Sequence, residues 1–176
     1  MFKDLPKELD GEVELDIDDN DNVIISSVDV DFESAGVTEL ELQESINFGD
    51  GDEDSYNITG INENAFSKCK FKGNISLPNT IQYIGENAFG LNLTTNAQTF
   101  EITNSELVIP DACRRISAYA FRNQNSIQQV RISLNLVEAL NFMQFFSSSA
   151  FANDGELNTY IKTIDLPNAN SGDSKI

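Results

Sequence analysis

The chain has 176 residues, 40% of them apolar, and a formal net charge of −18, so one domain with a sizeable core is expected and nucleic acid is disfavoured as a partner. It contains no histidine, which removes the usual general base and most zinc sites, and no glycine-rich phosphate loop, so we expect no enzyme activity. No apolar run is long enough to cross a bilayer, so we expect no membrane insertion.

The N-terminal third holds most of the charge. Residues 1–57 carry 19 of the 29 acidic side chains and two of the 11 basic ones, a net charge of −17. Residues 12–18 and 28–32 alternate apolar with acidic side chains, which predicts strands that each have one apolar and one acidic face. Asp and Asn clusters predict tight turns. We expect residues 1–36 to form an acidic antiparallel β cap over the open end of the core.

Two clusters in this third are candidate calcium sites, and no other cofactor is expected. The first has oxygen ligands at alternate positions, as at the start of an EF-hand loop: Asp16, Asp18, Asn20 and Asn22. Its sixth position lacks the glycine and its twelfth the glutamate of that motif. The second cluster is equally incomplete: Asp50, Asp52 and Asp54. A solvated acidic loop is the alternative for both.

Two motifs recur beyond this third. The first places an apolar residue four positions before an Ala-Phe pair, at Ala65-Phe66, Ala88-Phe89, Ala120-Phe121 and Ala150-Phe151. The second is apolar-x-apolar, often followed by proline, and starts at Leu40, Ile75, Leu107, Val130 and Ile164. Its steps of 35, 32, 23 and 34 residues fit a period of 23 with insertions. This recurrence predicts stacked coils in which the phenylalanines form one column and the apolar-x-apolar strands are neighbours.

The middle residue of each apolar-x-apolar strand should point away from the core. These residues and one flanking residue form the predicted partner-binding surface: Glu41, Ser76, Val108, Gln129, Arg131 and Asp165. The two cysteines, Cys69 and Cys113, occupy repeat positions that we expect to be buried. Two structural thiols are the favoured interpretation, and a disulfide is the alternative that the spacing does not suggest.

Residues 58–81 follow the pattern I-x-x-I-x-x-x-A-F-x-x-C, then I-x-L-P, including Cys69 and Pro78. In this the chain resembles the BspA-like, or Treponema pallidum type, leucine-rich repeats over residues 37–168. The resemblance implies an α/β-type leucine-rich-repeat solenoid of four to five units, with short parallel strands on the concave face and short helical turns opposite. Cys113 and Ser133 depart from the pattern, which makes the later units irregular. A polar tail, residues 169–176, follows.

The resemblance also implies a surface or secreted protein that binds a protein partner or adheres to cells, although the chain shows no signal peptide. Two alternatives stay open. One is a structural subunit of a larger assembly that docks through its last strand, residues 164–166, because no closing cap is evident after it. The other is a calcium-stabilised fragment of a surface protein. The sequence does not identify the partner.

Overall fold

The computed structural model describes residues 2, 11–49, 55–90, 99–132 and 163–165. These residues form twelve β-strands and no α-helix. The strands are β1 (Gly11–Ile17), β2 (Val23–Val30), β3 (Glu39–Glu41), β4 (Ser45–Ile46), β5 (Tyr56–Ile61), β6 (Phe71–Ser76), β7 (Tyr83–Ile84), β8 (Phe100–Ile102), β9 (Glu106–Val108), β10 (Arg115–Ile116), β11 (Gln129–Arg131) and β12 (Thr163–Asp165).

One sheet, which we call the long sheet, runs in the order β1-β2-β5-β7-β10, with β4 paired antiparallel to β5. Strands β1 and β2 form an antiparallel hairpin, and β2, β5, β7 and β10 are parallel. The hairpin turn is held by the Asp18 carboxylate, which accepts hydrogen bonds from the N–H groups of Asn20 and Asn22. Asp21 supplies the left-handed backbone that so tight a turn requires.

The five apolar-x-apolar motifs lie in two parallel three-stranded sheets, β3-β6-β8 and β9-β11-β12, of which β8 is the one strand without such a predicted motif. Leu40 pairs with Ile75, and Val130 pairs with both Leu107 and Ile164, as the repeat predicts. β12 is the outermost strand of the described part of its sheet, and assembly through it stays a prediction.

The expected pairing of Ile75 with Leu107 is wrong. The insertion before residue 100 adds β8, which pairs with the first half of β6. Asn104 then takes the place of a neighbouring strand beside Ile75: the Ile75 N–H donates to its Oδ1 (2.7 Å), and its Nδ2 donates to the Ile75 carbonyl (3.2 Å). The strand surface is therefore interrupted between β6 and β9.

The predicted phenylalanine column is confirmed for three coils. The Phe66 and Phe89 rings stack with centroids 4.8 Å apart, and the Phe89 and Phe121 rings with centroids 5.3 Å apart. Backbone hydrogen bonds link the same three coils in the same order. The Phe66 N–H donates to the Ala88 carbonyl, and the Phe89 N–H donates to the Ala120 carbonyl. The fourth pair, Ala150-Phe151, lies outside the described residues.

The helical turns that the resemblance implied are not found among the described residues and stay a prediction. In the part of the chain that the structure describes, the turns that follow the long-sheet strands are tight turns closed by i to i+3 bonds, such as Ser67 N–H to Asn64 carbonyl. Asn64, Asn87 and Tyr119 occupy equivalent positions with φ between 52° and 58°, a left-handed conformation that stops a right-handed helix. The fold is thus a solenoid of stacked coils with mostly parallel strands.

Candidate partner-binding surface

The outward side chains of β3, β6, β9, β11 and β12 form a surface that we call the strand face. The strand registers within β3-β6 and within β9-β11-β12 arrange them in two rows, each interrupted by the break between β6 and β9. The first row contains Glu39, Asn74, Glu106, Gln129 and Thr163. The second row contains Glu41, Ser76, Val108, Arg131 and Asp165. The alternation of buried and outward residues is the one that the apolar-x-apolar motif predicts, with Leu40, Ile75, Leu107 and Val130 in the core.

Side chains of the first row are bonded to one another. Nδ2 of Asn74 donates to Oε1 of Glu39 at 2.8 Å, and Oγ1 of Thr103 donates to Oδ1 of Asn74 at 2.9 Å. Nε2 of Gln129 lies 3.5 Å from Oε1 of Glu106, a long contact. These contacts hold the first row in place and use part of its hydrogen-bonding capacity.

Side chains of the second row are more available to bind a partner. Ser76, Arg131 and Asp165 make no side-chain hydrogen bond or ion pair with any described residue. Arg131 and Asp165 are opposite in charge and in register, yet they are not within ion-pair distance. Val108 is in register with Arg131 and is 48% exposed. The row therefore presents a hydroxyl, an apolar side chain, a cation and a carboxylate to solvent.

The break between β6 and β9 opens a groove of about 740 Å³ on this face. Three carboxylates lie along it, Glu39, Glu41 and Glu106, with Val108 at its side. A second depression of about 550 Å³ shares Glu41 and Ser76 with the groove and continues toward Glu44. The surface is acidic near β3, and at β11 it carries the cation of Arg131.

Glu39, Glu106 and Asn104 were not among the predicted site residues. Glu39 and Glu106 each lie one position before an apolar-x-apolar motif, so the same alternation that selects Glu41 and Val108 also places them outward. Asn104 carries no comparable signal, because its role depends on where the insertion leaves the chain.

The first predicted calcium cluster is divided between different partners. Asp18 accepts hydrogen bonds within its own turn, from the Asn22 backbone first and then from its side chain, and these lower the pKa of Asp18. Asp16 instead accepts hydrogen bonds from Ser26 and from Nδ2 of Asn62. In the described ranges no group of three or more Asp, Glu, Cys or His side chains is arranged to hold a metal. Calcium binding stays a prediction, and Asp50, Asp52 and Asp54 lie outside those ranges.

Both cysteines are free and buried, in agreement with the structural interpretation. The Cys69 thiol donates to the Val28 carbonyl at 3.1 Å. Burial raises the pKa of Cys69 to about 12 and that of Cys113 to about 11. Thiols with such pKa values stay protonated at neutral pH and are poor nucleophiles.

No described segment forms a helix with the length and apolar character needed to cross a bilayer.

Comparison with known proteins connects the repeats to a family. A solved leucine-rich repeat protein from Bacteroides ovatus ATCC 8483 is 12% identical, with a TM-score of 0.33, over 92% of this chain and 54% of that chain. The chain thus spans about half the length of that protein, and no curated protein matches it. The family model "BspA type Leucine rich repeat region" matches in six copies, over residues 94–171. Residues 94–171 are thus similar to BspA-type leucine-rich repeats.

Proposed function

We propose that the chain is a non-enzymatic interaction module that binds a protein partner through the strand face. Leucine-rich repeats generally bind proteins, because stacked units create an extended surface of regularly spaced side chains. The observation that carries the proposal is the second row, whose Ser76, Arg131 and Asp165 have no side-chain partner among the described residues. Following the family, we place the module at the cell surface or outside the cell, where adhesion is its expected role.

The chemistry of the face favours a partner with mixed charge. Val108 supplies exposed apolar area next to Arg131. Arginines that become buried in an interface often contribute much of its binding energy. The groove beside them is lined by Glu39, Glu41 and Glu106, which favour a lysine or arginine of the partner. We therefore expect an acidic group of the partner at Arg131 and a basic group in the groove.

The test begins with a photo-crosslinking amino acid at position 108, which identifies the protein that touches this row. The affinity of that protein is then measured for Arg131→Glu and Val108→Asp. Losing the charge contact of Arg131, or burying an unpaired carboxylate in place of Val108, costs about 2 kcal/mol or more, so we expect each variant to bind at least about tenfold more weakly.

Arg114→Glu is the matched control. Arg114 is exposed and precedes β10 in the long sheet, and its substitution gives the same change in net charge as Arg131→Glu. Circular dichroism establishes that each variant is folded. The proposal fails if the partner binds the Arg131 and Val108 variants as tightly as it binds the unchanged protein.

A further inference from the structure

Strand β1 is the outermost strand of the described part of the long sheet. Among the described residues it pairs with β2 alone, and six of its seven residues are exposed. Backbone N–H and C=O groups on the outer side of an edge strand have no ladder partner, and such an edge is a template for another strand. This edge lies on a different sheet from the strand face.

The two ends of the apolar face of β1 are exposed, whereas Leu15 between them packs against the core. Val13 pairs with Val28 and Ile17 with Val23, and both β2 residues are fully buried. Val13 itself is 39% exposed and Ile17 is 54% exposed. Val13 and Ile17 therefore leave apolar area that one more strand would cover.

The other face of β1 is acidic and open. Glu12 and Glu14 are exposed and make no hydrogen bond or ion pair with any described residue. Asp16 differs, because Ser26 and Asn62 already donate to it. In a second copy of the chain paired at this edge, carboxylates would face carboxylates, which is destabilising. Lysine or arginine at those positions would instead form favourable cross-strand pairs.

We propose that β1 binds, by β-strand addition, an extended segment of a partner protein that alternates apolar and basic residues. The apolar residues of that segment cover Val13 and Ile17, and its basic residues face Glu12 and Glu14. The outer backbone groups of β1 supply the hydrogen bonds, as in other complexes formed by strand addition. The acidic face then has two effects: it prevents self-pairing and it selects a basic strand.

The probe is a fluorescent peptide, Lys-Val-Lys-Val-Lys-Val-Lys, whose length matches the seven residues of β1. Its binding is measured by fluorescence anisotropy at physiological salt. The control peptide has the same composition in blocks, Lys-Lys-Lys-Lys-Val-Val-Val, and cannot place all its apolar residues on one face of a strand. We expect the alternating peptide to bind at least about tenfold more tightly, since several cross-strand pairs add. Equal binding of the two peptides, or no binding of the alternating one, overturns the proposal.

Charge reversal at Glu12 and Glu14 tests whether the peptide binds at β1. The double variant Glu12→Lys with Glu14→Lys should bind the alternating peptide at least about fivefold more weakly. It should bind the peptide Glu-Val-Glu-Val-Glu-Val-Glu instead. The matched control, Glu33→Lys with Glu63→Lys, makes the same charge change at exposed positions and should keep the original preference. Equal loss in both double variants would mean attraction to the overall charge alone, which overturns the proposal. Light scattering that finds a dimer abolished by the Glu12/Glu14 reversal would assign the edge to a second copy, and this also overturns it.

Discussion

At the scale of single residues, side-chain amides supply hydrogen bonds to backbone groups that have no partner in a strand ladder. Gln124 is 1% exposed. Its Oε1 accepts from the Ile102 N–H at 2.8 Å, and its Nε2 donates to the carbonyls of Phe89 (2.6 Å) and Phe100 (2.7 Å). One side chain thus satisfies three backbone groups on both sides of the insertion. Asn104 does the same for Ile75 on the strand face.

Gln124→Met should therefore be strongly destabilising. Methionine fills a similar volume but leaves the Ile102 N–H and two carbonyls without partners, and each buried unsatisfied group costs about 1–3 kcal/mol. We expect a loss of about 3 kcal/mol in the free energy of unfolding, measured by urea denaturation. Gln82→Met is the control, because Gln82 is exposed, and it should change stability by about 0.5 kcal/mol or less. Similar values for the two variants would show that the Gln124 bonds contribute little.

At the scale of elements, the phenylalanines link coils that are far apart in sequence. Besides the column of Phe66, Phe89 and Phe121, a second line of rings runs from Phe32 through Phe71 to Phe100. Phe89 belongs to the first line and also contacts Phe100, with centroids 5.7 Å apart. Phe66 also contacts Phe100, with centroids 5.1 Å apart, so two rings of the first line pack against Phe100 of the second.

Phe89→Ala should be among the most destabilising single changes in the chain. Removing a fully buried ring costs about 3–5 kcal/mol, because the cavity cannot close between two stacked neighbours. Phe89→Leu should cost less, since it keeps most of the apolar volume. The control is Phe48→Ala, because Phe48 is 50% exposed and its removal should cost about 1 kcal/mol or less. If urea denaturation gives the same loss for Phe48→Ala and Phe89→Ala, the stacked column is not the main source of stability.

The column could be predicted because recurrence at a fixed offset places equivalent side chains in equivalent places. The break between Ile75 and Leu107 could not be predicted. The spacing shows that residues are inserted there, but whether they form a strand such as β8 depends on pairing with β6. The alternation of residues 12–18 predicts which side chains of β1 share a face. It does not tell what covers that face, and Val13 and Ile17 turn out to be exposed.

At the scale of the whole molecule, the acidic hairpin and the nearly neutral repeats share one core. Five side chains from β2 and the residues after it are at most 5% exposed and belong to the same apolar cluster as the coils: Val23, Ile25, Val28, Val30 and Phe32. Residues 11–49 hold twelve acidic and no basic side chains, and this charge lies next to the first coils, where its self-repulsion opposes their folding. Burial of β2 has to outweigh that repulsion.

Truncation at two points tests whether residues 1–36 act as a cap. Removing residues 1–17 deletes β1, most of which is exposed, so we expect cooperative urea unfolding at a lower midpoint. Removing residues 1–36 also deletes β2 and exposes Ile58 and Ile61 of β5, which are fully buried in the complete chain. An uncovered first coil cannot bury its apolar side, so the shorter chain should bind the dye ANS and unfold without a sharp transition. The same two truncations separate charge from packing, since added salt screens repulsion but cannot replace a missing strand. If residues 37–176 unfold as cooperatively as the complete chain, the hairpin is not a cap, and the repeats hold themselves together.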